Sequence, residues 1–236
     1  MTLRFSRELI SKMLAEAMGT FALVFAGTGS IMIAERFPAS VSPSAIPIIF
    51  GLVVSSMIYA VGHISGAHFN PAVTVAFAFA RHFPKRQVLA YWLAQFLAAI
   101  FASFILSIIL PAGNTFGETI SHVSLYQTFI WEFILTFFLM FVIIAVATDT
   151  RAIGTMAGAA IGATVMFCAF LGGPITGASM NPARSFAPAL ISGHYDMIWL
   201  YFIAPILGAM TAAFLYRWIR CENQNETEQT NAKGCC

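Results

Sequence analysis

The sequence predicts an all-α membrane protein, with six transmembrane helices plus two re-entrant half-helices in an inverted repeat. Three observations predict it: the composition, the spacing of the apolar blocks, and a doubled Asn-Pro-Ala. Of 236 residues, 59% are hydrophobic and 9% charged, where a soluble domain carries about 25% charged residues. Mean hydropathy is +0.81, and the apolar residues fall in long blocks, as in a membrane protein. A net charge of +2 gives no reason to expect a nucleic-acid partner.

A spanning helix needs about 20 mostly apolar residues. Six stretches qualify: Met13 to Ile33, Ala45 to Ile64, Val88 to Leu110, Phe129 to Ala147, Ala152 to Leu171 and Ile198 to Trp218. The first is longer than a signal-peptide core and lacks a cleavage site, so it is expected to be retained. Two further apolar stretches, after Pro71 and Pro182, are about half the spanning length. Short segments of this kind read as re-entrant half-helices lining a cavity. The channel domain covers residues 8–220, with halves of about 8–111 and 125–220. An N-terminal segment (1–7) precedes it, and a polar tail (221–236), read as disordered, follows.

With six spans both termini share a side. Arg4, Arg7, Lys12, Arg81, Lys85, Arg86, Arg151, Arg217, Arg220 and Lys233 fall on that side. Only Arg36 and Arg184 fall opposite or in the pore, so the positive-inside rule makes both termini cytoplasmic. The four cysteines, Cys168, Cys221, Cys235 and Cys236, have no metal-ligand spacing with His. Neither a metal site nor a structural disulfide is expected. The Cys235-Cys236 pair could carry a lipid or bind thiophiles, but a free reduced tail is the favoured reading.

The chain repeats itself. Met13-Leu14-Ala15-Glu16-Ala17-Met18-Gly19-Thr20-Phe21 matches residues 129–137, where Glu132, Thr136 and Phe137 take the places of Glu16, Thr20 and Phe21. Ser65-Gly66-Ala67-His68-Phe69-Asn70-Pro71-Ala72 matches Thr176-Gly177-Ala178-Ser179-Met180-Asn181-Pro182-Ala183. Each half holds three spans, an odd number, so the second half enters from the opposite face and the half-helices meet at the midplane. Asn is a favoured N-cap and Pro a favoured first helical residue, so Asn-Pro-Ala can start a helix in mid-membrane. Two facing helix N-termini, each roughly half a positive charge, would repel cations and protons while admitting neutral hydrogen-bond acceptors.

The motifs from Gly62 to Thr74 and from Gly177 to Ser185 resemble those of the major intrinsic protein family, the aquaporins and aquaglyceroporins. The resemblance covers about residues 8 to 220 and implies a passive channel for water and small uncharged solutes, assembled as a homotetramer with one pore per subunit. It implies no cofactor and places the protein in the bilayer of the cell membrane. The pore motifs would be Asn70, Pro71, Ala72 and Asn181, Pro182, Ala183. Family members also carry a four-residue constriction, whose Arg follows the second motif and is here Arg184. A buried Arg in a membrane is by default functional. Motif spacing assigns Phe50, Ala169 and Ala178 to the other three positions.

Water-selective members resembling this chain carry His where Ala169 stands. The resemblance therefore implies a wider, partly apolar ring suited to glycerol, urea or uncharged metalloid acids such as arsenous or boric acid. A one-residue slip, bringing Cys168 or Phe170 into the ring, leaves a water-selective aquaporin as the alternative. Glycerol facilitators typically have Asp after the filter Arg, and this chain has Ser185. The loop motifs look more like the nodulin-26-like branch and its bacterial relatives.

In the family, acids placed as Glu16 and Glu132 are hold the pore-loop backbone. Buried, they need donors, which the re-entrant loops can supply. His63 is read as lining and supporting the cytoplasmic vestibule, His68 as stabilising its loop, and His122 and His194 as solvated. Gly154, Gly158 and Gly162 are read as a packing stripe that lets helices approach closely. No nucleophile–base or zinc constellation argues for an enzyme, and an ion-coupled transporter would need midplane ion ligands that the sequence does not offer.

Overall fold

The computed structural model describes residues 6–110, 115–149, 152 and 154–220. Arg4, Arg151, Lys233, Cys221, Cys235, Cys236 and the tail from 221 lie outside the described residues. Among the described residues eight α-helices follow one another: α1 (Arg7–Arg36), α2 (Ala45–Ser65), α3 (Pro71–Phe79), α4 (Val88–Ile109), α5 (Leu125–Thr148), α6 (Ala157–Thr176), α7 (Pro182–Ser192) and α8 (Leu200–Ile219). Six are long and apolar enough to span: α1, α2, α4, α5, α6 and α8. The half-helices α3 and α7 have 9 and 11 residues.

Helix ends differ from the sequence reading for local reasons. α1 starts at Arg7 because Ser6 caps it, its hydroxyl accepting from the Leu9 N–H at 3.2 Å. α5 starts at Leu125 because Ser124 and Gln127 form a reciprocal capping box. The sequence places the end of α6 at Leu171, before Gly172-Gly173-Pro174. The helix instead runs through Pro174 to Thr176, and stops where Gly177 takes a left-handed conformation (φ 82°). Its start shifts to Ala157, after a 3₁₀ turn at Gly154–Met156.

The packing follows the repeat. α1 packs on α2 and α4, as α5 packs on α6 and α8. α2 and α6 pack across the divide between the halves. Each half-helix leans on the other half, α3 on α8 and α7 on α4, and the two touch each other. Small residues permit the close crossings. A Cβ built on Gly51 would lie 2.5 Å from the Gly162 carbonyl, and one on Gly162 would lie 2.6 Å from the Gly51 carbonyl. A Cβ on Gly208 would lie 2.2 Å from the Phe133 carbonyl, fixing α8 on α5. Of the glycine stripe, Gly158 (against Tyr59) and Gly162 are in close contact, and Gly154 is not. Large apolar side chains such as Leu14, Leu97, Phe101, Ile108 and Phe214 stay exposed, as on a surface facing lipid.

The candidate pore

Two buried carboxylates organise the re-entrant loops. Glu16 Oε1 accepts from the Ser65 hydroxyl (2.7 Å) and the His68 N–H (2.9 Å), while Oε2 accepts from the Phe69 N–H (2.7 Å) and Gln95 Nε2 (2.9 Å). Glu132 repeats the pattern. Its Oε1 accepts from the Thr176 hydroxyl (2.7 Å) and the Ser179 N–H (3.0 Å), and its Oε2 from the Met180 N–H (2.9 Å). Both carboxylates are fully buried. Capturing successive N–H groups bends each loop through left-handed conformations at non-glycine residues: Ala67 (φ 51°), Phe69 (φ 52°), Ala178 (φ 42°) and Met180 (φ 52°). Such conformations persist where surrounding bonds over-determine them.

The two loops are tied at the centre. Asn70 Oδ1 accepts from the Ala72 N–H (2.9 Å), capping α3, and Asn181 Oδ1 accepts from Ala183 (3.0 Å) and Arg184 (3.4 Å), capping α7. Asn70 Nδ2 donates to the Met180 carbonyl (2.7 Å), and Asn181 Nδ2 donates to the Phe69 carbonyl (2.9 Å). Each asparagine thus caps its own half-helix and stitches to the opposite loop. Each amide has a second N–H that this stitching does not use.

A continuous cavity of about 1060 Å³ runs past this junction. Glu35, Pro43, Glu118 and His122 line one mouth, and Tyr59, His63 and Gly154 line the other. Asn70, Asn181, Phe50, Ala169, Ala178 and Arg184 all line it. Arg184 is 2% exposed. Its Nη1 donates to the Gly117 carbonyl (2.9 Å), and its Cζ lies 5.3 Å from the centroid of the Phe50 ring, within cation–π range. The Phe50 ring occupies the space a side chain at Gly27 would fill, the built Cβ lying 2.1 Å from it. Ala169 and Ala178 present methyl groups. Phe170 lines the cavity as well, whereas Cys168 does not; its thiol is fully buried and directed at the Leu135 carbonyl (3.6 Å).

Ser185, where glycerol facilitators carry Asp, is fully buried. It bonds to Ser179 Oγ and accepts from the Thr119 hydroxyl (2.8 Å). His68 sits 3.1 Å from Thr74 Oγ1 and stacks on Phe77. His63 is exposed to the cavity and makes no hydrogen bond among the described residues. The sequence reading missed two tyrosines that brace the loops. Tyr91 donates to the Ser65 carbonyl and Tyr201 to the Thr176 carbonyl, both at 2.7 Å. Their spacing of 110 residues (201 − 91) was the available signal, since it follows the period of the repeat. Gln95, which also donates to Thr74 (3.0 Å), has no such partner in the second half, where Pro205 stands.

Six spans, two half-helices meeting end to end and a through-running cavity define a membrane channel built from an inverted repeat. Residues 4–216 match the Major intrinsic protein family. The chain is 48% identical over 231 residues to the Aquaporin NIP1-1 of Oryza sativa subsp. japonica, covering 98% of this chain and 81% of that protein. It is 46% identical to the Nodulin-26 of Glycine max, covering 96% and 84%. The X-ray structure of the aquaglyceroporin from Plasmodium falciparum superposes with a TM-score of 0.81 at 24% identity, over 89% of this chain and 96% of that one. The chain belongs to the major intrinsic protein family, among its nodulin-26-like relatives, and is a channel for water and small solutes, with no enzymatic activity.

Proposed function

We propose that this channel passively conducts water and glycerol, with urea and uncharged metalloid acids such as arsenous and boric acid as further cargo, and excludes protons and ions. The observation that carries the solute range is the ring at Arg184. Two of its four residues, Ala169 and Ala178, end at a methyl group beside the cavity. Arg184 supplies hydrogen-bond donors on one side, while Phe50 and the two methyls offer apolar surface. An amphipathic solute, with hydroxyls along one edge and carbon along the other, suits that pairing. The buried cation and the positive ends of α3 and α7 oppose the passage of cations. The unused amide hydrogens of Asn70 and Asn181 are donors for a permeating oxygen, which therefore passes the centre as an acceptor.

His63 is read as lining one mouth, and Glu16 and Glu132 as holding the loops. The exposed basic residues Arg7, Arg81, Lys85, Arg86, Arg217 and Arg220 argue for cytoplasmic termini in a cell membrane. Family membership supports a homotetramer with one pore per subunit. Stopped-flow light scattering of proteoliposomes tests the solute range. In an impermeant sugar gradient vesicles should shrink quickly; in a glycerol gradient they should shrink and then re-swell. Fast shrinkage without re-swelling beyond empty liposomes would leave a water-selective pore.

A further inference from the structure

The segment after residue 115 is tied to α7 at several points. The Gly117 carbonyl holds Arg184 Nη1, and the Thr119 hydroxyl reaches Ser185. Between them, the Glu118 side chain is only 5% exposed, yet it lines the mouth of the cavity. Its Oε1 lies 3.3 Å from Nδ1 of His194, just past the end of α7. The His194 backbone is held, its amide N–H donating to Ser192 Oγ at 3.2 Å, while its ring is largely exposed. Gly117 has no side chain to anchor it and no room for one. It sits at φ 70°, and a Cβ there would lie 2.4 Å from Thr28. The position of the Gly117 carbonyl therefore depends on how the segment is tethered: by Thr115 Oγ1, which accepts the Gly117 N–H at 3.3 Å, by Thr119 on Ser185, and by Glu118 on His194.

We propose that Glu118 and His194 are a positioning pair for the filter arginine, holding the Gly117 carbonyl where it restrains the Arg184 guanidinium beside the lumen. This rests on Arg184 lining the constriction. An imidazole gains charge between about pH 8 and pH 5. When charged, both ring nitrogens donate, and the pair is a charge-assisted bond. When neutral, only the tautomer with hydrogen on Nδ1 preserves it; the other turns a lone pair toward the carboxylate. With the pair open, the 117–119 segment loosens, and the guanidinium gains freedom to enter the lumen and obstruct it. Of the other charged and titratable groups, Glu35, His122 and Arg184 line the same cavity as Glu118, while Arg36 follows Glu35 in the chain and Tyr195 and Asp196 follow His194. Glu35 is engaged by the Thr115 hydroxyl at 2.6 Å.

The test is water permeability of proteoliposomes buffered identically on both sides from pH 5.5 to 8. Wild type is expected to lose flux on going from acid to alkali by about two- to fivefold, the scale on which an ion pair with one partner in solvent shifts an equilibrium. His194→Gln and Glu118→Gln should give flat profiles, while His194→Arg, with its fixed charge, should stay at the acid-side level across the range. The other imidazoles remain in all these proteins, so the difference between profiles is the readout. A flat wild-type profile, or variant profiles parallel to a sloping one, would overturn the proposal. If Glu118→Gln does not insert, the exposed His194 variants carry the test. A failure of the wide-filter reading shows separately, as absent glycerol flux at every pH with water flux intact.

Discussion

Replacing Glu132 by Ala removes the acceptor for the Ser179 and Met180 N–H groups, at 3.0 and 2.9 Å, and for the Thr176 hydroxyl at 2.7 Å. The Thr176 hydroxyl has the Gly172 carbonyl at 3.4 Å in reserve. The two N–H groups belong to buried residues and have no other partner among the described residues. Each buried orphan costs about 1–3 kcal/mol, so the substitution should cost about 2–6 kcal/mol. That is a large share of a typical stability of about 5–15 kcal/mol. Glu132→Gln keeps one acceptor oxygen but turns an NH₂ toward the remaining donors, and should fall between. Melting in detergent, followed by retention of the monodisperse size-exclusion peak after heating, should order the three as wild type, Gln, Ala. The Glu132→Ala protein should melt roughly 5–20 °C lower. Glu16→Ala should be at least as damaging, because the carboxylate there also holds Gln95. A Glu132→Ala protein that melts with wild type would refute the view that the carboxylate shapes the loop.

Gly208→Ala and Gly162→Ala should each cost about 1–3 kcal/mol or abolish insertion, because the new methyl meets a backbone carbonyl at 2.2 or 2.6 Å. Gly154→Ala, whose nearest contact is at 3.9 Å, should express and melt like wild type. Mercurials should not close the pore by way of Cys168, which is buried behind the lining. Ala178→Cys should create a block that thiol reagents reverse, read as lost water flux. Partial burial, with the Arg220 charge adding to it, holds His82 below the ordinary imidazole range. The folded state therefore binds this proton less readily than the unfolded chain. Stability linked to His82 should be present above about pH 6.5 and decline as pH falls through that value. His82→Gln should flatten the acid side of a melting-temperature profile slightly, because the ring is largely exposed.

The six spans and two half-helices were legible because each rests on local signals: an apolar run of sufficient length, or Asn-Pro at a helix start. Glu16 and Glu132 stood out because an acid inside an apolar helix demands donors, and the repeat showed that both halves solve the same problem. The exchange between Asn70 and the Met180 carbonyl, and between Asn181 and the Phe69 carbonyl, was not legible. Asn-Pro-Ala signals the local cap, but nothing in either motif pairs the amide nitrogen with a carbonyl 110 or more residues away. The left-handed turns at Ala67, Phe69, Ala178 and Met180 run against residue propensity and follow from carboxylates that lie on other helices. The space that Gly19 and Gly27 leave for the Phe69 and Phe50 rings is set by packing between distant segments, which local sequence does not signal. α6 outruns the apolar span that ends at Leu171, because Pro174 removes one backbone donor without ending a helix that packing supports.

The measurement closest to the central claim is the ratio of glycerol to water permeability in wild type and in Ala169→His, taken on the same proteoliposome preparations. In the proposed ring, an imidazole at position 169 would project into the cavity that Ala178 and Arg184 also line. The expected result is fast glycerol re-swelling in wild type that the Ala169→His variant abolishes, with most of the water flux retained. Wild-type vesicles that pass water but no glycerol, or an Ala169→His variant with an unchanged ratio, would contradict the assignment of Ala169 to the constriction.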